Sequence, residues 1–226
     1  MKEYSILIPI HNEVNLIPLL LKSLTIFIKN GHQIIIIDDG SDDGSTSILE
    51  NCLEIDLVCL SENMGKGSAI KEGLKRVINK RVILFDGDME LRSSDISKLM
   101  ILDKKNGIDF VMGYRFRSLS SLRSRHDWGN FMFTSFFNLI FNSNYKDILC
   151  CAKSFNINAI NKYEIHSKGF DIDVELASVF TILSKKKRIA QVLLDYERRG
   201  IQDGKKLKIS DGWIILSRII NMVRYK

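Results

Sequence analysis

Gln33-Ile34-Ile35-Ile36-Ile37 sets four isoleucines in a row. A strand with one wet face alternates apolar and polar side chains. One that is apolar at every position must be covered on both faces, as in parallel sheets. Similar short runs recur at Ser5–Ile10, Asp56–Leu60, Arg81–Phe85 and Asp109–Gly113. Segments with apolar residues at helical spacing separate them: Leu16–Lys29, Thr46–Asn51, Ser68–Asn79 and Ser94–Asn106. This strand–helix order predicts an α/β domain, a mostly parallel sheet flanked by helices on both faces. The second half is less regular. It offers an aromatic-rich stretch at Trp128–Phe141, a helix over Asp173–Lys186, a strand at Ile189–Tyr196 and a C-terminal amphipathic basic helix at about 208–224. With two prolines, no repeat and no low-complexity linker, residues 1–226 read as one domain.

Charge is unevenly distributed. The net charge is +6, yet from Ser184 onward there are twelve Lys/Arg against four Asp/Glu, leaving 21 basic and 23 acidic residues in the rest. A basic tail on an acidic body points to an anionic partner such as a phosphate or an anionic lipid surface. Nucleic acid is excluded as a partner, because its footprint would not be lined by Asp38, Asp39, Asp42 and Asp43. The N-terminus has no signal-peptide layout and no apolar run reaches the roughly 20 residues of a membrane span, so the expected location is cytoplasmic, peripheral on a membrane. Cys52, Cys59, Cys150 and Cys151 lack metal-site spacing and read as reduced thiols.

In open α/β sheets, ligands bind beyond the carboxyl ends of the strands. Those ends here carry Pro9-Ile10-His11-Asn12-Glu13, Asp38-Asp39-Gly40-Ser41, Asn63-Met64-Gly65-Lys66-Gly67, Asp86-Gly87-Asp88 and Gly113-Tyr114-Arg115. Two carboxylates one residue apart at a strand end, with a glycine permitting close approach, suit a hard cation such as Mg²⁺ or Mn²⁺, and Glu90 adds a third oxygen. A turn is the bland alternative for Asp86 and Asp88 alone. Five decorated strand ends in succession are not explained as turns. Lys66, in a glycine-flanked loop without the Walker A pattern, is placed for a phosphate.

Taken in order, these segments resemble the family 2 glycosyltransferases of the GT-A fold, in the branch of dolichyl- and polyprenyl-phosphate sugar synthases. The resemblance continues through Asp147-Ile148-Leu149-Cys150-Cys151-Ala152-Lys153, Gly169-Phe170-Asp171-Ile172-Asp173-Val174-Glu175-Leu176 and Tyr196-Glu197-Arg198-Arg199. It implies a Rossmann-like sheet and a nucleotide-sugar donor bound by Pro9, His11, Glu13, Asp38, Asp39, Lys66 and Asp86. It implies a divalent cation on Asp86, Asp88 and Glu90, and a phosphate acceptor met by Arg115, Arg125, Lys153, Arg199 and Lys206. Asp88, Arg115 and Asp147 would be the catalytic set. His11 stands where this family usually has an aromatic residue, which leaves base stacking possible.

The expected reaction moves a hexose from GDP-mannose or a UDP-hexose to a polyprenyl or dolichyl phosphate with inversion. A lipid monophosphate, with a second pKa near 6, is already anionic and needs positioning more than deprotonation. A sugar hydroxyl would need a carboxylate base, for which Asp147 is the candidate. A glycosyltransferase elongating a surface polysaccharide is therefore the nearest alternative, and a non-catalytic nucleotide-binding module a distant one. Six aromatic residues between Trp128 and Phe141 exceed what one helix face can bury, so some are expected to meet a bilayer or a polyprenyl chain. A membrane-protein partner is a further expectation.

Overall fold

A computed structural model describes residues 2–117, 125–184, 189–197 and 211–225. The chain runs β1 (Ser5–Ile10), α1 (Ile17–Lys29), β2 (Gln33–Asp38), α2 (Ser45–Leu49), β3 (Asp56–Cys59), α3 (Lys66–Leu74) and β4 (Arg81–Leu84). It continues through α4 (Ile96–Leu99), β5 (Phe110–Tyr114), α5 (Arg125–Phe141), β6 (Lys153–Asn156), α6 (Ile157–Ile160), α7 (Ile172–Ser184), β7 (Ile189–Leu193) and α8 (Asp211–Met222). These strands form one sheet in the order β3-β2-β1-β4-β6-β5-β7. All neighbours are parallel except β6, which runs antiparallel to both β4 and β5.

The isoleucine run behaves as its composition requires. Ile35 and Ile37 join Leu7, Val82, Leu84, Phe110 and Met112 in a core on one face, covered by α3, α5, α7 and α8. Ile34 and Ile36 join Ile6, Ile8, Ile10, Ile83 and Phe85 on the other, under α1, α2 and α4. Successive side chains point to opposite faces, so a doubly covered sheet demands apolar residues at each position. Helix α1 enters with proline in its first turn and buries Ile17, Leu20, Leu24 and Phe27, a stripe at helical spacing.

Two local readings of the sequence differ from the structure. The segment expected to be a helix over Ser94–Asn106 holds a 3₁₀ turn at Ser93–Asp95 and the single turn of α4. Thereafter the Asp103 carboxylate accepts the N–H groups of Lys105 and Asn106, and Asp103 and Ile108 exchange backbone hydrogen bonds. Asp-Lys-Lys-Asn-Gly is turn chemistry, with Gly107 at φ +76°, and it outcompetes the apolar spacing. Strand β6 was not anticipated, because it begins with Lys153, a residue foreign to a central strand. The C-terminal helix spans Asp211–Met222, so the expected start at Lys208 lies outside the described residues.

Beyond Leu7 and Phe85 the ladder between β1 and β4 ends, while β1 continues to pair with β2 through Ile10. Pro9 sits in this unzipped stretch, where its missing N–H breaks no bond to β4. The order β2-β1-β4 makes this the point at which the chain reverses its direction of sheet growth, and the crevice there is the expected ligand site.

The core facing α7 rests on stacked rings: Phe180 lies 4.5 Å from Phe110 and 5.4 Å from Phe155, centroid to centroid. Phe180→Ala should lower unfolding free energy by about 3–5 kcal/mol in denaturant titration. A loss below about 1 kcal/mol would contradict this packing.

Candidate active site

The loops at the crevice are knit together by side chains that cap backbone N–H groups. Asn12, at φ +54°, donates its backbone N–H to Ser41 Oγ at 2.8 Å and its side-chain amide to Asp42, and Asp42 N–H returns a bond to Asn12 Oδ1. Glu13 N–H donates to Ser45 Oγ and Val14 N–H to Asp43. Asp38, buried at the end of β2, accepts from Ser41 and from the Thr46 hydroxyl. Asp39 accepts the N–H groups of Met64 and Gly65 at 2.8 and 2.9 Å. The four carboxylates at Asp38, Asp39, Asp42 and Asp43 thus have donors within the chain, which answers the repulsion their density would create. Pro9, His11 and Glu13 line the same end of β1, and Asp38 and Asp39 stand beside them at the end of β2.

Gly65 and Gly67 fix the position of Lys66. A Cβ at either would lie 2.5 Å from the carbonyl oxygen of Lys168 or Ser167, and Gly65 adopts φ +91°. The loop therefore presses its backbone against residues 167–168, and Lys66 enters α3 with its ammonium aimed inward. Its Nζ lies 2.9 Å from both Asp86 oxygens and 3.0 Å from Asp173 Oδ2. Burial opposes the Lys66 charge, but Asp173 and Asp86 outweigh it and raise its pKa well above the ordinary value.

Asp86 and Asp88 stand where β4 leaves the sheet. The glycine between them serves packing rather than ligand approach, since a Cβ there would meet the Ile10 side chain at 2.5 Å and that of Ile8 at 3.0 Å. Met89 takes φ +59°, and Glu90 N–H donates back to Asp88 at 3.1 Å. Burial, then the negative charges of Asp86 and Glu90, raise the Asp88 pKa to about 7. This is a carboxylate cluster short of positive charge. Among the described residues no three acidic, histidine or cysteine side chains are already gathered as a ligand set. Two carboxylates completed by substrate phosphates are the common arrangement for a small hard cation, and Asp86 with Asp88 fits it.

Arg115, just past β5, forms a two-pronged ion pair with Asp147: Nε to Oδ2 at 2.7 Å and Nη2 to Oδ1 at 3.1 Å. Asp147 is sealed from solvent and also accepts Leu149 N–H. Tyr196 and Phe116 lie against the guanidinium at 5.4 and 5.6 Å. Burial opposes the arginine's charge and Asp147 restores it, leaving its pKa well above the ordinary range. Asp147 is placed to aim Arg115, and a substrate hydroxyl has no path to it. Lys153 is wholly buried: its ammonium meets the Cys150 carbonyl and, at 3.5 Å, Asp173. It faces no acceptor. Arg199 and Lys206, and the side chain of Arg125, lie outside the described residues.

The residue that sequence reasoning passed over is Asp173. It bridges Lys66 and Lys153, and its pKa is lowered against the cost of burial by Lys66, Lys153 and then Arg115. The signal was the run of acids Asp171, Asp173 and Glu175 at the start of a helix whose remaining residues are mostly apolar.

Fold and strand-end chemistry together are those of a GT-A glycosyltransferase. The chain belongs to glycosyl transferase family 2, which its sequence matches over residues 5–163. It is 26% identical to the dolichyl-phosphate beta-glucosyltransferase of Saccharomyces cerevisiae, over 97% of this chain and 73% of that protein. It is 33% identical to the undecaprenyl-phosphate 4-deoxy-4-formamido-L-arabinose transferase of Serratia proteamaculans, over 49% of this chain but 36% of that enzyme. Glucosyl-3-phosphoglycerate synthase from Mycobacterium tuberculosis, solved with Mn²⁺, UDP and glucosyl-3-phosphoglycerate, superimposes with a TM-score of 0.77 at 14% identity, covering 99% of this chain and 80% of that one.

Removing one member of a buried charge network strands the others. Asp173→Ala should cost about 3–5 kcal/mol of stability in denaturant unfolding. A cost under about 1 kcal/mol would mean that Lys66 and Lys153 find other partners.

Proposed function

We propose that this chain transfers a hexose from a nucleotide-sugar, GDP-mannose or a UDP-hexose, to a polyprenyl or dolichyl phosphate, inverting the anomeric centre. One observation carries the choice of acceptor: Asp147, the base a sugar hydroxyl would need, is buried and paired to Arg115. A phosphate monoester needs no base, because it is largely ionised at neutral pH. It needs a fixed cation, and Arg115 keeps the N–H groups of Nη1 outside its pair with Asp147. The yeast relative, matched along nearly the whole chain, supports the same acceptor class.

In this reading the donor nucleotide lies over the ends of β1 and β2, with Pro9, His11, Glu13, Asp38 and Asp39 forming its seat. Lys66 meets the diphosphate. Asp86, Asp88 and Glu90 would hold a divalent cation, which neutralises charge on the departing nucleoside diphosphate; the Mn²⁺ bound in the mycobacterial synthase supports that assignment. Arg115 orients the acceptor phosphate for attack from the face opposite the leaving group. Arg125, Arg199 and Lys206 are assigned to the same phosphates by their place in the sequence motifs, and Lys153 acts from beneath by holding Asp173. The whole of 1–226 works as one domain on the cytoplasmic face of a membrane. The four cysteines are free thiols, in keeping with a reducing compartment, and no described helix is long and apolar enough to cross a bilayer.

Incubation with GDP-mannose, UDP-glucose or UDP-GlcNAc, each with a polyprenyl phosphate and Mn²⁺, should yield a chelator-sensitive, lipid-linked sugar from one donor. No lipid product, with transfer to a glycan instead, would favour the polysaccharide reading. A second test uses Asp88. A cation competes with the proton on a carboxylate whose pKa is near 7. Mn²⁺ affinity measured by calorimetry should therefore weaken below neutral pH, approaching about tenfold per pH unit. Affinity independent of pH down to the ordinary carboxylate range would remove Asp88 from the site.

A further inference from the structure

Helix α5 carries no charged residue from Trp128 to Phe141. Phe137 and Phe141 are buried in the core under the sheet, while Trp128, Phe131, Met132 and Leu139 lie on the opposite side of the same helix. A helix turns 100° per residue, so these four share one stripe, and it faces solvent: Met132 is 68% and Leu139 80% exposed. Surface helices normally pair one apolar face with a polar one. On this one the outer stripe is also apolar, interrupted by Ser135.

Helix α8 extends the surface. It packs beside α5: a Cβ on Gly212 would lie 3.3 Å from the Phe133 ring, and Ile215, Ile219 and Met222 enter the same core as Phe137. Its outer side presents Trp213, 76% exposed, with Ile214 and Ile220. No aspartate or glutamate occurs in 128–141 or in 213–226. Cations border the patch. Arg224 is exposed at the end of α8, and Lys162 is exposed beside Tyr163, whose ring contacts Tyr225 at 6.1 Å. In the sequence, the stretch 198–208 that precedes α8 holds five Lys/Arg and one Asp, and it lies outside the described residues. The patch also adjoins the acceptor end of the site. Thr134 of α5 accepts the N–H of Ile148, next to the Asp147 that aims Arg115.

We propose that α5 and α8 together form a bilayer-docking face, with Trp128, Met132, Leu139, Trp213, Ile214 and Ile220 entering the headgroup–acyl boundary of an anionic membrane. The inference deepens the acceptor reading given above and rests on it. Apolar side chains with tryptophans, bordered by cations and with no acid within 128–141 or 213–226, are the composition of an interfacial surface. A two-fold pairing of two such faces would set their basic margins against each other, so a second copy is the poorer occupant. Docked in this way, the protein meets a prenyl phosphate whose chain stays in the bilayer while its headgroup reaches Arg115.

The full chain should co-sediment with vesicles that are one-quarter phosphatidylglycerol in phosphatidylcholine, with a blue shift of tryptophan fluorescence. Binding should weaken at high salt and on pure phosphatidylcholine. Trp128→Ser with Leu139→Ser, and separately Trp213→Ser with Ile214→Ser, alter solvent-facing positions and should preserve the fold. Each pair should weaken vesicle binding by about tenfold or more, while transfer to a short-chain prenyl phosphate in detergent persists. Wild-type protein that ignores the vesicles, variants that bind as well as wild type, or a dimer abolished by the substitutions without vesicle binding would each overturn the proposal. Vesicle binding lost with the substitutions upholds the surface whatever the transfer assay gives. Absence of lipid-linked product from the wild type strikes the acceptor reading alone.

Discussion

Lys66 is the hinge of the charged architecture. Its ammonium is the shared counter-ion of Asp86 on β4's end and Asp173 at the start of α7, and it arrives there because two glycines let its loop lie against the backbone of residues 167–168. Lys153 neutralises Asp173 from the other side. Buried charges are tolerated only when paired and hydrogen-bonded, so each element depends on the next: β6 can carry a lysine in mid-sheet because α7 opens with an aspartate. The electrostatic reach of Arg115 to Asp173 brings the expected donor and acceptor ends of the crevice into one alternating string of charges.

Against that paired network, Asp88 is the exception. Asp86 has Lys66, Asp173 has two lysines and Asp147 has Arg115, whereas burial and like-charged neighbours push Asp88 toward its neutral form. A cation of the kind proposed above would relieve that repulsion, while Asp86 already has Lys66 as its counter-ion.

Much of this was legible from residues alone. Four isoleucines in a row demanded a doubly covered strand, and the polar strand ends marked the crevice. Tertiary interactions decided the rest. Nothing local in Lys153-Ser154-Phe155-Asn156 announces a central strand, because the partner that permits Lys153 is twenty residues away. Glycine 87 looked like a ligand-approach residue and proved to make room for Ile10 and Ile8. Asp147 looked like a base when read singly; only the fold brings Arg115 to it across 32 residues. Local turn chemistry at Asp103–Ile108 overrode an apolar spacing that favoured a longer helix. The apolar outer stripe of α5 was visible as an excess of aromatics, but which residues faced outward required the packing of α8.

The most direct measurement of the central claim is the effect of Mn²⁺ on the ³¹P resonances of GDP or UDP bound to the protein. With the cation held between Asp86, Asp88 and the diphosphate, both phosphorus signals should broaden at Mn²⁺ levels well below that of the nucleotide, and Asp88→Asn should abolish the effect beyond that of free Mn²⁺–nucleotide. Equal broadening in the wild type and in Asp88→Asn would contradict a metal–diphosphate site at the end of β4.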